Sequence, residues 1–225
     1  MFFENVYKIK GGNKLKGEVI ASGAKNSAMK AIIATLLFEG KTVVDNIPKI
    51  RDVEEVFHII KNLGGKVEYK QKKAIIDPSD IRSNKVDLLH GARVRVSFMF
   101  LAPLLKIFKE CYIPNPGGCR IGARPIDRII KGVEALGGEV EYDSSTGYYR
   151  ITLKNSPRGY YKFSKPSHTG TETLILSPGF ALLGALTFTV TASVGIILLP
   201  AASVSFISVC TVCVTFEFAV EFPVA

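Results

Sequence analysis

The stretch "PNPGGCRIGARPID", residues 114–127, places Cys119 behind two glycines and follows it with Arg120, Arg124 and Asp127. Cations beside a thiol favour its thiolate, and a glycine pair lets the backbone turn tightly or lie close to a ligand. These residue types point to an exposed reactive loop acting on an anion. A lone cysteine can instead be a small buried hydrophobe. The glycines and cations around Cys119 favour the reactive reading, whereas Cys111, alternating with strand residues in "KECYIP", reads as structural. Of the three histidines, His58 falls on an amphipathic helix, His90 in a loop and His168 in a candidate anion site.

Other candidates stand where helices are expected to begin. Lys25 and Asn26 open "KNSAMKAIIATLL", Arg95 opens "RVSFMFLAPLLKIF", and Ser167 to Thr171 lie at the start of "KPSHTGTETLIL". The partial positive charge of a helix N-terminus favours anions. If the three starts converge, their amides with Lys25, Arg95 and Arg124 would suit phosphate or carboxylate groups. Taken singly, Lys25 and Arg95 could equally be solvated residues at the beginning of a helix.

The elements that must position these residues come from an internal repeat. "RDVEEVFHIIKNLGGKVEY" (Arg51 to Tyr69) matches "RPIDRIIKGVEALGGEVEY" (Arg124 to Tyr142). In each, apolar residues at helical spacing (Val53, Val56, Ile60, Leu63; Ile126, Ile129, Val133, Leu136) lead to a Gly-Gly pair. The spacing predicts an amphipathic helix, and the glycines predict a left-handed end to it. Strands follow at "KVEY" and "KAIID", and again at "EVEY" and "YYRITL". Short strands are also expected in "KTVVDNIP" and "ECYIPNP". The unit is helix, strand, helix, strand, strand, about 70 residues long. Two copies are complete, and a third begins at Lys165 and stops near Ile175.

Charge is distributed as unevenly as the repeat. The chain of 225 residues carries +9 overall, and all 29 Lys and Arg residues lie at or before Lys165. That part should attract anions. Without a basic run, an aromatic-rich recognition motif or zinc-finger spacing, nucleic acid is not the expected partner. Four scattered cysteines form no disulfide framework and suit a reducing, cytoplasmic setting. The start "MFFENVYKIKGGNKLKGEV" lacks the apolar centre of an export signal.

"GAKNSAMK" (Gly23 to Lys30), "PGGCRIGARPID" (Pro116 to Asp127) and the arginine of "RVSFMFLAPL" together resemble the UDP-N-acetylglucosamine enolpyruvyl transferase family, the 1-carboxyvinyltransferases of peptidoglycan precursor synthesis. The likeness runs from about Val6 to Thr173. It implies an α/β fold of repeated helix-strand-helix-strand-strand units about a pseudo-threefold axis, an inside-out α/β barrel whose third unit is incomplete here. It further implies transfer of the enolpyruvyl group of phosphoenolpyruvate to the 3-hydroxyl of UDP-N-acetylglucosamine with release of phosphate. Cofactor and metal are not implied.

By position, the resemblance makes Cys119 the catalytic proton donor and the target of fosfomycin. Lys25 would join it in catalysis and, with Asn26, contact phosphoenolpyruvate and the sugar. Arg95 would face the sugar nucleotide. Arg124, Pro125, Ile126, Asp127 and Arg128, with Lys165, Pro166, Ser167 and His168, would hold the UDP moiety. Residues 1–22 are expected to belong with a second domain that the family possesses, and residues 23–175 to form the domain carrying the cysteine loop.

Residues 176–225 are expected to be an apolar tail foreign to that pattern, arising from a shifted reading frame. From Thr173 to Phe216 there is no charged residue. A run this long could cross a bilayer, but it lacks a basic flank and is broken by Pro178 and Pro200. A membrane partner follows only if the tail is genuine, giving a tethered binding module. A truncated chain would instead be inactive, with residual sugar-nucleotide binding. Cys210 and Cys213 do not make a zinc site, which needs a second ligand pair.

Overall fold

Two similar stretches of sequence fold into two similar sets of elements. The computed structural model describes residues 8–12, 16–19, 21–117, 125–177 and 219–221. The first unit comprises α1 (Lys25–Ala34), tightened into a 3-10 turn at Thr35–Leu37, then β1 (Thr42–Val44), α2 (Arg51–Leu63), β2 (Lys66–Lys70) and β3 (Lys73–Asp77). A helical turn, α3 (Leu88–Gly91), leads into the second. There a 3-10 stretch, Arg95–Phe100, continues as α4 (Leu101–Phe108), followed by β4 (Glu110–Pro114), α5 (Asp127–Ala135), β5 (Glu139–Asp143) and β6 (Tyr148–Thr152). The third opens with β7 (Tyr160–Lys162) and α6 (His168–Ile175), and β8 (Ala219–Glu221) pairs antiparallel with β7.

The predicted order therefore appears twice. In α2 the expected stripe, Val53, Val56, Ile60 and Leu63, is no more than 1% exposed. Gly64 ends the helix at φ 108°, and after α5 Gly137 stands at 89°, the left-handed turn foreseen from the glycine pairs. Each unit then forms a three-stranded antiparallel sheet, β1-β3-β2 or β4-β6-β5, with its last strand in the middle. Alternation sets which side is buried: Ala74 and Ile76 of β3 face inward, while Lys73 and Ile75 face out. In the second sheet Cys111 and Val140 flank Ile151 from the two neighbouring strands.

The first helix of the second unit differs from expectation. A continuous helix from Arg95 was predicted, but the chain is 3-10 up to Phe100. Pro103 explains the change. It has no N–H to give the carbonyl of Met99, and its ring crowds that carbonyl, so it is tolerated only in the first turn of the α-helix that starts at Leu101. His90, expected in a loop, lies within α3.

The core lies among the first helices of the three units. Segment 95–100 packs against α1 and α6, and α4 also touches α6. Ile32, Ile33, Met99, Phe100, Leu101, Ala102 and Leu104 are fully enclosed there. Burying each large apolar side chain contributes about 1.5–3 kcal/mol, so this centre rather than the outer sheets dominates stability. Leu104→Ala is expected to lower unfolding free energy by about 2–5 kcal/mol. Leu89→Ala, at a 61% exposed position, should remain within about 0.5 kcal/mol of the parent in the same urea titration.

Candidate functional site

At the start of α1, Gly23 lies so close to Asn46 that a β-carbon on it would stand 1.7 Å from the Asn46 carbonyl oxygen. This contact seats α1 against the loop before α2. Lys25, half exposed, then reaches Asp52 in the first turn of α2, with Nζ 2.6 Å from Oδ2. Asn26 beside it is exposed. No side chain among the described residues caps the α1 amides, and its first turn holds no acid. The first amides of α1 are therefore open to an anion, while the Lys25 charge is shared with the Asp52 carboxylate.

Arg95 repeats this arrangement in the second unit. Its Nη2 donates to the Pro125 carbonyl, 3.3 Å away, just ahead of α5. Lys25 and Arg95 thus each tie the start of a unit's first helix to the start of its second. Pro125 and Asp127 are exposed, Arg128 is half-buried, and Ile126 is anchored in the core.

In the third unit Ser167 caps α6, its Oγ accepting from the Gly170 N–H at 3.2 Å. Lys165, Pro166 and His168 are exposed around that cap. Lys30 of α1 donates to Glu172 of α6 at 2.5 Å. Lys30 is the sixth residue of α1 and Glu172 the fifth of α6, so the pair joins the two helices near their middles. Segment 95–100 packs against both α1 and α6, so the first helices of the three units share one core.

Cys119, Arg120 and Arg124 lie outside the described residues, as do Cys210 and Cys213. The approach to the cysteine is described up to Gly117. A β-carbon on Gly117 would fall 1.6 Å from the Ala92 carbonyl oxygen, so this position admits only glycine without a shift. Asn115 is held by its N–H to the Gly147 carbonyl at 2.8 Å. Cys111 is fully buried, and burial together with the Glu110 charge pushes its thiol up. It is structural, as the strand pattern indicated.

Sequence reasoning missed one cluster beneath this region. Glu55, only 5% exposed, faces three basic side chains. His90 Nδ1 lies 2.5 Å from Oε2, Arg93 Nη1 donates to Oε1 at 3.1 Å, and Arg51 Nε stands 3.4 Å from Oε1. An ionised carboxylate can only accept, so Nδ1 of His90 carries the proton. His58 stacks on His90 with ring centres 4.7 Å apart. Burial works to raise the Glu55 carboxyl, but the bonds from His90 and Arg93 outweigh it and hold the group below the ordinary glutamate value. The one available signal was an acid within a stretch that the helical pattern mostly buries.

Among the described residues, no group of His, Cys, Asp or Glu side chains could hold a metal ion, and no helix is long and apolar enough to cross a membrane.

Repeated α/β units whose first helices pack together, with lysine and arginine at their starts, define a fold of the enolpyruvyl transferase class. The crystal structure of the enolpyruvyl transferase NikO from Streptomyces tendae superposes on it with a TM-score of 0.58 at 16% identity, over 80% of this chain and 41% of that one. An EPSP synthase from Acinetobacter baumannii gives 0.54 at 18%, covering 72% and 37%. The family model for EPSP synthase (3-phosphoshikimate 1-carboxyvinyltransferase) matches residues 9–194, and the chain belongs to that family.

Among curated relatives, UDP-N-acetylglucosamine 1-carboxyvinyltransferase 3 of Caldanaerobacter subterraneus subsp. tengcongensis is 42% identical over 171 residues, 76% of this chain. UDP-N-acetylglucosamine 1-carboxyvinyltransferase 2 of Listeria monocytogenes serotype 4b is 42% identical over 152 residues, 68% of it. The chain spans 40% of the first relative's length and 36% of the second's. The family match passes Ile175, and β8 lies further on still, so both reach into the stretch that composition sets apart.

The Glu55 cluster has a pH signature. Because its carboxyl is depressed in the folded chain, its contribution is complete above the ordinary glutamate value and is lost as pH falls through the lowered one. Thermal melts between about pH 6 and pH 3 should show the parent losing more stability than Glu55→Gln, which cannot titrate there. Parallel losses would contradict the assignment.

Proposed function

We propose that this chain is the portion of a UDP-N-acetylglucosamine 1-carboxyvinyltransferase that carries the cysteine loop, acting in the cytoplasm on peptidoglycan precursors. The reaction moves the enolpyruvyl group of phosphoenolpyruvate to the 3-hydroxyl of UDP-N-acetylglucosamine and releases phosphate. The observation that carries this reading is the 42% identity over 171 residues to a relative of that name. The two solved structures support the fold alone.

The chemistry asks for three things. The hydroxyl oxygen adds to C2 of phosphoenolpyruvate while C3 gains a proton, and loss of phosphate and a C3 proton then restores the double bond. Cys119 is the proton donor, since a thiol near cations can both hold and release a proton close to neutral pH. This also makes it the site of attack by fosfomycin. Lys25 and the uncapped amides of α1 hold phosphoenolpyruvate, with Asn26 touching the sugar.

Arg95 orients the sugar nucleotide, and the UDP group lies between residues 124–128 and residues 165–168. Among the described ones, Pro125, Asp127, Lys165, Pro166 and His168 are exposed, which suits a surface that substrate covers. Residues 23–175 form this half of the site, and residues 1–22 pack with a second domain whose closure excludes water. Beyond Ile175 the apolar run departs from the repeat as a shifted reading frame would.

Calorimetric titration of the chain with UDP-N-acetylglucosamine tests this reading. Binding is expected, weakened roughly tenfold by Arg95→Ala, the loss that accompanies removal of one charged hydrogen bond. Binding of shikimate 3-phosphate in preference to the sugar nucleotide would overturn it.

A further inference from the structure

The Glu55 cluster contains none of the proposed substrate contacts, yet its arrangement is directed. The two oxygens of one buried carboxylate hold His90 and Arg93, residues on either side of Ala92. Ala92 is the residue whose carbonyl presses against Gly117. The same turn is fixed at its beginning by Asp87, whose Oδ1 accepts from the His90 N–H at 2.9 Å. On its far side Gly91 meets the ring of Pro114, so a β-carbon there would fall 2.5 Å from Cγ. Two residues beyond Arg93 comes Arg95. The carboxylate meets Arg51 from α2 itself and His90 and Arg93 from the turn, while His58 stacks on His90 and Asp87 accepts from the His90 N–H.

Stability alone does not require such a device. A buried carboxylate surrounded by cations gains little over well-packed apolar side chains, because removing the charges from water offsets their attraction. Its particular property is directional: hydrogen bonds to two oxygens fix where a backbone segment lies, which apolar contact does far less sharply. Here the segment fixed is the seat for Gly117, two residues before Cys119.

We infer that Glu55 is a positioning residue: through His90 and Arg93 it sets the Ala92 carbonyl against which Gly117 is seated, and so governs the entry to the Cys119 loop and the backbone leading to Arg95. The inference deepens the proposed function and rests on Cys119 being its reactive group. Glu55 touches no substrate in this account.

The chain carries its own control for the test, because Cys111 is buried in β4 and can be alkylated only if the fold opens. The full chain, Glu55→Gln and Glu55→Ala would be treated with iodoacetamide, and the rate at each cysteine read by peptide mass spectrometry. Release of the Gly117 seat should raise the Cys119 rate about threefold or more in Glu55→Ala, the scale on which contacts along a coupled network act. Glu55→Gln, which keeps an acceptor, should restore part of the difference, and Cys111 should stay protected in both.

An unchanged Cys119 rate with Cys111 protected would overturn the inference. So would a joint rise at both cysteines in both variants, which would mean that the cluster merely holds the fold together. UDP-N-acetylglucosamine titration of the same proteins separates the two proposals. If the parent chain fails to bind it, the proposed function falls, while the alkylation comparison still decides whether Glu55 seats the loop.

Discussion

The structure depends on three equivalent helices sharing one apolar centre. Ile32 and Ile33 of α1, the Met99 to Leu104 stretch and Leu174 of α6 belong to one buried cluster, and the Lys30 to Glu172 ion pair joins α1 to α6 at mid-helix. Packing those helices fixes where each polar start lies on the domain. The proposed anion site would be built on this core. The sheets lie outside this centre, and their outward residues, such as Val43 and Ile75, remain exposed.

This explains why the same two residues recur with different chemistry. Lys25 and Arg95 occupy corresponding places in successive units, each reaching from the first helix toward the second. Lys25 meets a carboxylate and Arg95 a carbonyl. A repeated scaffold supplies the geometry, and divergence at its helix starts supplies specificity. In the sequence Cys119 falls between β4 and α5 of the second unit, whereas the connection between β1 and α2 in the first is short and closes with Asn46 against Gly23.

Much of this was readable from sequence because it is local. The Val53 to Leu63 stripe and its glycine pair forecast α2, and the same pattern forecast α5 and the strands after each. Local chemistry also foretold the Ser167 cap and the burial of Cys111. What escaped was contact between distant residues. Glu55 and His90 are 35 positions apart, and Lys30 and Glu172 are 142 apart. No periodicity links such pairs, and a glutamate on an amphipathic helix ordinarily faces solvent. The 3-10 start at Arg95 was missed for another reason: Pro103 acts on the turn before it, so apolar spacing alone favoured an unbroken helix.

The central claim is that helix starts from three units form one anion site. Amide chemical shifts followed during titration with UDP-N-acetylglucosamine test it most directly. The account predicts joint movement, with a single affinity, at Lys25 and Asn26, at Arg95, and at Ser167 and His168. Movement at only one of these groups, or confined to the outer sheets, would contradict it.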